Sequence, residues 1–219
     1  MAAVCVTTGP GATNAITGVL GAWMDSIPML VFSGQARYAT TVSASGLPLR
    51  SMGVQECNIV PVVKSLTKYA HMIVHPENIR YHLEKALYLA VNGRPGPVWL
   101  DIPLDVQGAV IETDDLKAYD PEENPEQKPR EIKDETVEQI LDKLQESKRP
   151  VLSPGNGVRL AGAHEDFYQL AELLGVPVVT GMSSVDAIES DHPLFVGRSG
   201  GTGTRPGNFA PVSYTHLTL

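Results

Sequence analysis

The chain has 219 residues, of which 42% are hydrophobic and 19% charged, a composition typical of globular proteins. Its net charge of -8 comes from 25 acidic and 17 basic residues, and the basic residues form no cluster that could follow a phosphate backbone, so we expect no nucleic-acid partner. No apolar run reaches the roughly 20 residues of a membrane helix, and the two cysteines lack metal-type spacing, which predicts a cytoplasmic protein without membrane contact or disulfides.

Strand and helix patterns alternate through the first half of the chain. Short apolar runs typical of buried strands are separated by segments whose apolar residues recur every three to four positions, as on one face of a helix. Short turns join these segments, an arrangement typical of parallel βαβ units. The predicted strands cover residues 2–8, 27–34 and 97–103, and the predicted helices cover 12–24 and 76–92.

The second half repeats this alternation after an acidic interruption. Residues 107–134 lose the periodicity and are rich in proline and acid, which predicts a linker. Helix and strand patterns resume behind it, so we predict two α/β domains, 1–106 and 135–210. The last residues, 211–219, do not continue the pattern and look like adapter DNA read as protein, so we expect a non-native tail there.

The turn between the first strand and the first helix reads "GPGATN", residues 9–14. Backbone N–H groups at the start of a helix are unpaired and can hold a phosphate or a polar ring edge. The turn lacks the third glycine of the dinucleotide fingerprint, and the chain has no G-K-[ST] of a P-loop. On spacing alone, a purely structural tight turn and a binding turn both remain open.

A stripe of small residues follows one face of the first predicted helix: Asn14, Gly18, Gly21 and Ala22. Each glycine inside a helix costs about 1 kcal/mol relative to alanine, which predicts that another backbone packs closely here. We therefore expect the isolated chain to be poorly soluble as a monomer.

Longer stretches resemble a known family. The stretches "TTGPGATNAITGVLGAWMDSIPMLVFSGQ", "GVQECNIVPVVKSLTKYA" and "GRPGPVWLDIPLDVQ" resemble the pyrimidine-binding domain of the acetolactate synthase-like thiamine diphosphate enzymes. The stretches "GNGVRLAGAHEDFYQLAELLGVPVVT" and "DHPLFVGRSGGTGTRPGNFA" are similar to the central domain of that family. The resemblance covers residues 2–210. It implies an α/β fold, with an incomplete three-layer, parallel-sheet pyrimidine-binding domain followed by an incomplete Rossmann-like central domain.

The resemblance also implies an activity. The parent protein is expected to use thiamine diphosphate with magnesium in a carboligase or decarboxylase reaction on a 2-keto acid, as a transferase or lyase of branched-chain amino acid biosynthesis. A homodimer or homotetramer is implied, because the cofactor of this family lies between subunits. FAD binding stays open. Two alternatives stay open as well: a relative acting on glyoxylate, an acyl-CoA or an aromatic aldehyde, and a non-catalytic α/β binding or assembly module.

Four residues are matched to the cofactor by the resemblance. They are Gly9, Pro10, Gly11 and Asn14, in the loop beside the aminopyrimidine ring. A catalytic glutamate upstream of this turn and a downstream magnesium motif belong to the family and are not found in this chain. We therefore assign no metal ligand here and expect the chain alone to be inactive.

Two glutamines are matched to catalysis by the resemblance. Gln35 corresponds to a residue facing the active-site cavity, and Gln55 to a segment near the substrate entrance. Val54 stands where the family has an aromatic residue, a change that would reshape the acceptor pocket. Arg198 and Arg205 could serve a flavin phosphate or a domain contact. Glu56 follows Gln55 in the same matched segment and stays open between a role at the entrance and a solvated or paired carboxylate. Cys5 and Cys57 are interpreted as small buried side chains. The remaining polar residues considered are interpreted as structural or surface groups: Lys64, Lys68, His71, His75, His82, Asp101 and Asp105.

Overall fold

A computed structural model describes residues 1–128 and 131–213, in two compact units, Met1–Arg130 and Glu131–Leu219. The strands of the first unit are β1 (Ala2–Val6), β2 (Met29–Gln35), β3 (Tyr69–Met72) and β4 (Pro97–Pro103). Its α-helices are α1 (Pro10–Met24), α2 (Val42–Ser45), α3 (Ile59–Val63), α4 (Ile79–Val91) and α5 (Leu104–Gln107).

The four strands form one parallel sheet in the order β1-β2-β4-β3. Helices connect the strands, as parallel pairing requires. The predicted α/β class with a parallel sheet is therefore confirmed. β1 lies at one edge of the described sheet, and three of its five residues are exposed.

The two central strands of the first unit's sheet, β2 and β4, are covered on both faces. Val31 and Trp99 are register partners on β2 and β4, and they pack with residues of α1 and α3. Their neighbours along the same strands, Leu30, Val98 and Leu100, pack against α4 on the other face. Because successive strand residues point to opposite faces, a strand buried on both sides needs the continuous apolar run that the sequence has.

Helix α3 and strand β3 were not predicted. The helix contains Pro61 and four β-branched residues, which have low intrinsic helix propensity. Ile59 and Val63 are nevertheless fully buried in the core beside Trp99. Burial against the rest of the unit therefore decides this local structure.

The range predicted as a linker, 107–134, is only partly free of the first unit. The Tyr119 side chain within it is 8% exposed, and its ring centroid lies 5.7 Å from that of Tyr81 and 5.6 Å from that of Tyr88. The backbone N–H of Tyr119 also donates to the Glu84 carboxylate over 2.8 Å. The predicted linker therefore contains an aromatic side chain that packs on α4. The boundary between the units, at residue 130, lies within the predicted range.

The second unit is a smaller α/β assembly. Its elements are α6 (Asp134–Glu146), α7 (Gly157–Leu160), α8 (His164–Leu174), β5 (Val178–Thr180), β6 (Phe195–Arg198) and α9 (Arg205–Ser213). β5 and β6 pair in parallel, and Leu152 adds an isolated parallel bridge to Val178. Of the predicted tail, residues 211–213 end α9 and residues 214–219 lie outside the described part of the chain.

No helix in the described ranges has the length and apolarity needed to cross a membrane. Both cysteines are free: Cys57 is half-buried, as a small core side chain would be, but Cys5 is exposed on the edge strand. The expectation that Cys5 is buried was wrong, because β1 is covered on one side only.

Candidate functional site

The carboxyl ends of β1, β2 and β4 surround a cavity of about 870 Å³. Open parallel sheets commonly bind ligands at this end of their strands, and the volume is within the usual range for small-molecule sites. The wall includes Thr7 and Thr8 after β1, Gln35 at the end of β2, and Val54 and Gln55 from the loop before α3. Both glutamines matched to catalysis therefore lie at this cavity.

The glycine turn packs against Gln55. Gly9 has φ +58° and ψ -113°, and a Cβ built on it would overlap the Gln55 carbonyl oxygen. A Cβ on Gly11 would lie 2.7 Å from Cγ2 of Thr7. The turn is therefore tight for packing reasons, which agrees with the structural interpretation. It also leaves α1 without a side-chain cap, because Gly9 at the cap position has no side chain that could accept from the first N–H groups of the helix.

None of the four predicted cofactor residues lines the cavity itself. Gly9, Pro10 and Gly11 follow directly behind its Thr7–Thr8 wall, whereas Asn14 borders a separate cavity of about 220 Å³ between α1 and the edge strand. The turn therefore adjoins the cavity, because its neighbour Thr8 and its contact Gln55 both line it. Asn14 lies at the other cavity.

The Gln35 side chain is fully engaged within the protein. It is 5% exposed, and its Nε2 donates to the Cys57 carbonyl over 2.8 Å and to Asp101 Oδ2 over 3.1 Å. Its Oε1 accepts from the Thr8 hydroxyl over 2.8 Å and from the Ala36 N–H over 2.9 Å. Both amide hydrogens and both oxygen lone pairs are used, so this amide has no capacity left for a ligand.

Asp101, interpreted from the sequence as a structural or surface group, is a buried acid that contacts the wall of the cavity. It is completely buried one layer behind the cavity, and its carboxylate accepts from the Ser33 hydroxyl over 2.5 Å as well as from Gln35. The Trp99 indole N–H donates to the same hydroxyl over 2.8 Å. Burial raises the pKa of Asp101 to about 6, and the hydrogen bonds from Ser33 and Gln35 oppose part of this shift. In the sequence, the signal for this buried carboxylate is an acidic residue within the apolar run "PVWLDIP".

Gln55 and Val54 form the exposed rim. Gln55 has φ +57°, an unusual conformation for a residue with a side chain, and Val54 is 85% exposed. Strained backbone is often found at functional sites because surrounding contacts hold it there. Here the contact is the close approach of Gly9.

The loop that carries this rim is held by Glu56. Its carboxylate accepts backbone N–H bonds from Val42 over 2.7 Å, Met52 over 2.8 Å and Gly53 over 2.9 Å. Burial alone would raise the pKa of Glu56, but the three backbone donors lower it below its usual value. Glu56 therefore holds the two ends of residues 42–56 together, which is a structural role.

Replacing Glu56 by glutamine is expected to destabilise the first unit by about 1–3 kcal/mol, because one amide NH₂ then faces backbone donors. Chemical denaturation followed by tryptophan fluorescence measures this change, since Trp23 and Trp99 both lie in the first unit. The control is Glu77→Gln, at an exposed carboxylate 3.8 Å from His75. Equal losses of unfolding free energy for the two substitutions would contradict this structural role of Glu56.

The other polar residues in question have structural surroundings. His82 is 9% exposed, and its Nδ1 is hydrogen-bonded to the Tyr69 hydroxyl over 2.6 Å, while its ring stacks on His71 with centroids 4.0 Å apart. Lys68 donates to the Asn92 carbonyl over 2.5 Å from a half-buried position. No group of three His, Cys, Asp or Glu side chains within 1–128 and 131–213 could hold a metal ion.

Of the two arginines considered for a flavin phosphate, Arg198 ends β6 and Arg205 begins α9. The Arg205 guanidinium lies 5.6 Å from the Phe209 ring centroid in the same helix. A third arginine, Arg159 in α7, pairs with Asp186 over 3.0 Å.

Comparison with known proteins identifies two matching family profiles. Residues 1–59 match "Thiamine pyrophosphate enzyme, N-terminal TPP binding domain", and residues 137–212 match "Thiamine pyrophosphate enzyme, central domain". Together they cover more than half of the chain.

Three curated relatives illustrate the similarity. The acetolactate synthase large subunit of Corynebacterium glutamicum is 38% identical over 92% of this chain and 31% of its own length. The acetolactate synthase large subunit of Lactococcus lactis is 34% identical over 98% of this chain and 36% of its own length. Acetolactate synthase isozyme 3 large subunit of Escherichia coli is 34% identical over 94% of this chain and 34% of its own length. The chain spans about a third of the length of these relatives.

Proposed function

Because this chain belongs to the thiamine diphosphate-dependent enzymes, we propose that its first unit forms one wall of a thiamine diphosphate site. The whole protein would then be an acetolactate synthase-like carboligase acting on a 2-keto acid, in branched-chain amino acid biosynthesis. The names of its relatives support this assignment. We also propose two domains, 1–106 and 135–210, and a non-native tail at 211–219.

One observation carries the proposal: Gly9 lies against Gln55 beside the 870 Å³ cavity. Two motifs 46 positions apart in the sequence thereby meet at the end of the sheet where such folds bind ligands. The cavity and the start of α1, which has no side-chain cap, fit a cofactor with a polar heterocycle.

Each residue has a proposed part. Gly9, Pro10 and Gly11 keep the approach to the ring free of side chains, and Gln55 presents its carbonyl at the rim. Gln35 holds the wall in place rather than touching the substrate, since its amide is saturated. Thiamine diphosphate, when bound, supplies the electron sink for cleavage of the bond to a carboxylate. Magnesium ligands are assigned outside this chain.

A different substrate is the second candidate. Val54 is exposed at the rim, where an aromatic residue of the family would narrow the entrance, so a larger acceptor such as an aromatic aldehyde or an acyl-CoA would find room there. A role in assembly without catalysis would instead leave the cavity without a ligand.

Self-association is proposed for the outer face of α1. A Cβ on Gly18 or Gly21 would meet nothing within 4 Å, and Leu20, Trp23 and Met24 are exposed beside them. A homodimer or homotetramer would cover this face. FAD binding by the second unit remains open in the proposal.

Titration of the ¹⁵N-labelled chain with thiamine diphosphate tests the site. We expect amide shifts at Thr8, Gly9 and Gln55 and none in residues 131–213. Pyrophosphate alone is the control for simple anion binding at the helix start. Identical shifts with pyrophosphate, or none with either compound, would reject a site for the heterocycle.

A further inference from the structure

The orientation of the Gln35 amide is determined by its partners. The Cys57 carbonyl and the Asp101 carboxylate can only accept, so Nε2 must lie on their side. The Ala36 N–H can only donate, so Oε1 must lie on the opposite side. No other orientation of this amide satisfies all three groups.

Asp101 is the buried end of a chain of hydrogen bonds that continues through Gln35 to Thr8. Its carboxylate is held by Ser33, and the Ser33 hydroxyl is itself held by the Trp99 indole in a fully buried position. None of the Asp101 atoms lines the cavity, so a ligand would not touch this residue. Its hydrogen-bond partners Ser33 and Gln35 both line the cavity, and Gln35 is the one that is bonded to Thr8.

Thr8 is the end of the chain of hydrogen bonds that a ligand would meet. Its hydroxyl has one hydrogen, and the nearer acceptor is Gln35 Oε1 at 2.8 Å, against 3.3 Å for the Gln55 carbonyl. With that hydrogen committed, Thr8 Oγ1 presents only lone pairs to the cavity. The Gln55 carbonyl beside it is an acceptor as well.

We infer that Asp101 is a positioning residue that acts through Gln35 on Thr8 and makes this part of the cavity wall accept, rather than donate, hydrogen bonds. The wall then selects a ligand group that carries N–H or O–H, such as an exocyclic amine. The ligand part of this inference rests on the proposed function, whereas the positioning part does not.

A double-mutant cycle tests the positioning. Thr8→Val is expected to raise the unfolding equilibrium constant about fivefold in the parent chain, the effect of one lost hydrogen bond. In the Asp101→Asn background an amide hydrogen of the new asparagine faces another donor, so Gln35 loses its fixed orientation. We therefore expect Thr8→Val to change the unfolding equilibrium constant at most about twofold in that background. The control background is Asp25→Asn, at an exposed carboxylate after α1, where the effect stays fivefold.

A fivefold effect of Thr8→Val in both the parent and the Asp101→Asn background would overturn the inference, because residues that only stabilise the fold act independently. Thr8→Ser keeps the hydroxyl, so Asp101→Asn should have the same effect in the Thr8→Ser chain as in the parent chain. A smaller effect of Asp101→Asn in Thr8→Ser, equal to that in Thr8→Val, would contradict the pathway through this hydrogen bond.

Binding by the full chain tests the polarity of the wall. Calorimetry with thiamine diphosphate and with oxythiamine diphosphate, in which an oxo group replaces the amine, should favour the amine at least about fivefold. Thr8→Val and Asp101→Asn should both reduce this ratio toward one. An unchanged ratio in either variant overturns the inferred selectivity. If neither compound binds, the proposed function and the selectivity fail together, and the double-mutant cycle alone decides the positioning.

Discussion

Replacing Gly9 by alanine is expected to destabilise the first unit by about 3 kcal/mol or more. The residue has φ +58° and ψ -113°, a conformation that costs an L-residue about 1–2 kcal/mol. The added Cβ would also overlap the Gln55 carbonyl oxygen, and backbone has to move to relieve that overlap. Denaturant unfolding followed by tryptophan fluorescence measures the loss.

Gly46→Ala is the matched control for Gly9→Ala. Gly46 also has positive φ, +64°, but a Cβ there meets nothing within 4 Å. We expect a loss of about 1 kcal/mol, from the backbone conformation alone. If the two substitutions cost the same, the contact between the turn and Gln55 contributes nothing, and the observation that carries the proposed function is lost.

Two buried groups are expected to make opposite contributions to the pH dependence of stability. The pKa of Asp101 is raised to about 6 by burial, so the folded state binds a proton that the unfolded state does not, and stability rises as the pH falls from 6 toward 4. The pKa of His82 is lowered to about 4 by burial and by the neighbouring His71 and Lys85, so stability falls as the pH drops below 6.5. Each effect amounts to about 2 kcal/mol between pH 6.5 and 4.5.

Substitution separates these two contributions. Asp101→Asn is expected to lose about 2 kcal/mol between pH 6.5 and 4.5, whereas His82→Asn is expected to gain about 2 kcal/mol, and the parent chain changes less than either. Unfolding free energies measured at several pH values in this range give all three slopes. Parallel curves for the parent and Asp101→Asn would mean that the Asp101 carboxyl ionises in the folded state as it does in the unfolded chain.

The alternation of elements was predictable because it is a local property. Apolar runs and helical periodicity located β1, α1, β2, α4 and β4 within a few residues, since each buries a face that its own sequence encodes. Helix α3 was missed because its propensity opposes its structure, and only contacts with Trp99 reveal why Ile59 and Val63 are apolar.

The polar part of the site was less accessible from the sequence. The need for glycine at position 9 was anticipated as a tight turn, but its partner Gln55 is 46 positions away. Gln35 was expected to face the cavity as a catalytic group, and it does reach the wall, yet its amide is saturated by Asp101, Cys57, Thr8 and Ala36. These partners are brought together by strand register, in which Ser33 lies opposite Asp101. No local pattern encodes that pairing.

The position of β1 in the described sheet has a practical consequence. An edge strand offers a row of backbone N–H and C=O groups to any extended segment that approaches it. Three of the five β1 residues are exposed, and its side chains are small or β-branched, with no charge to repel another strand. In concentrated solution this strand is therefore the place where intermolecular sheet growth would begin. A proline or lysine on its outer side would be the first change to make when preparing the chain for structural work.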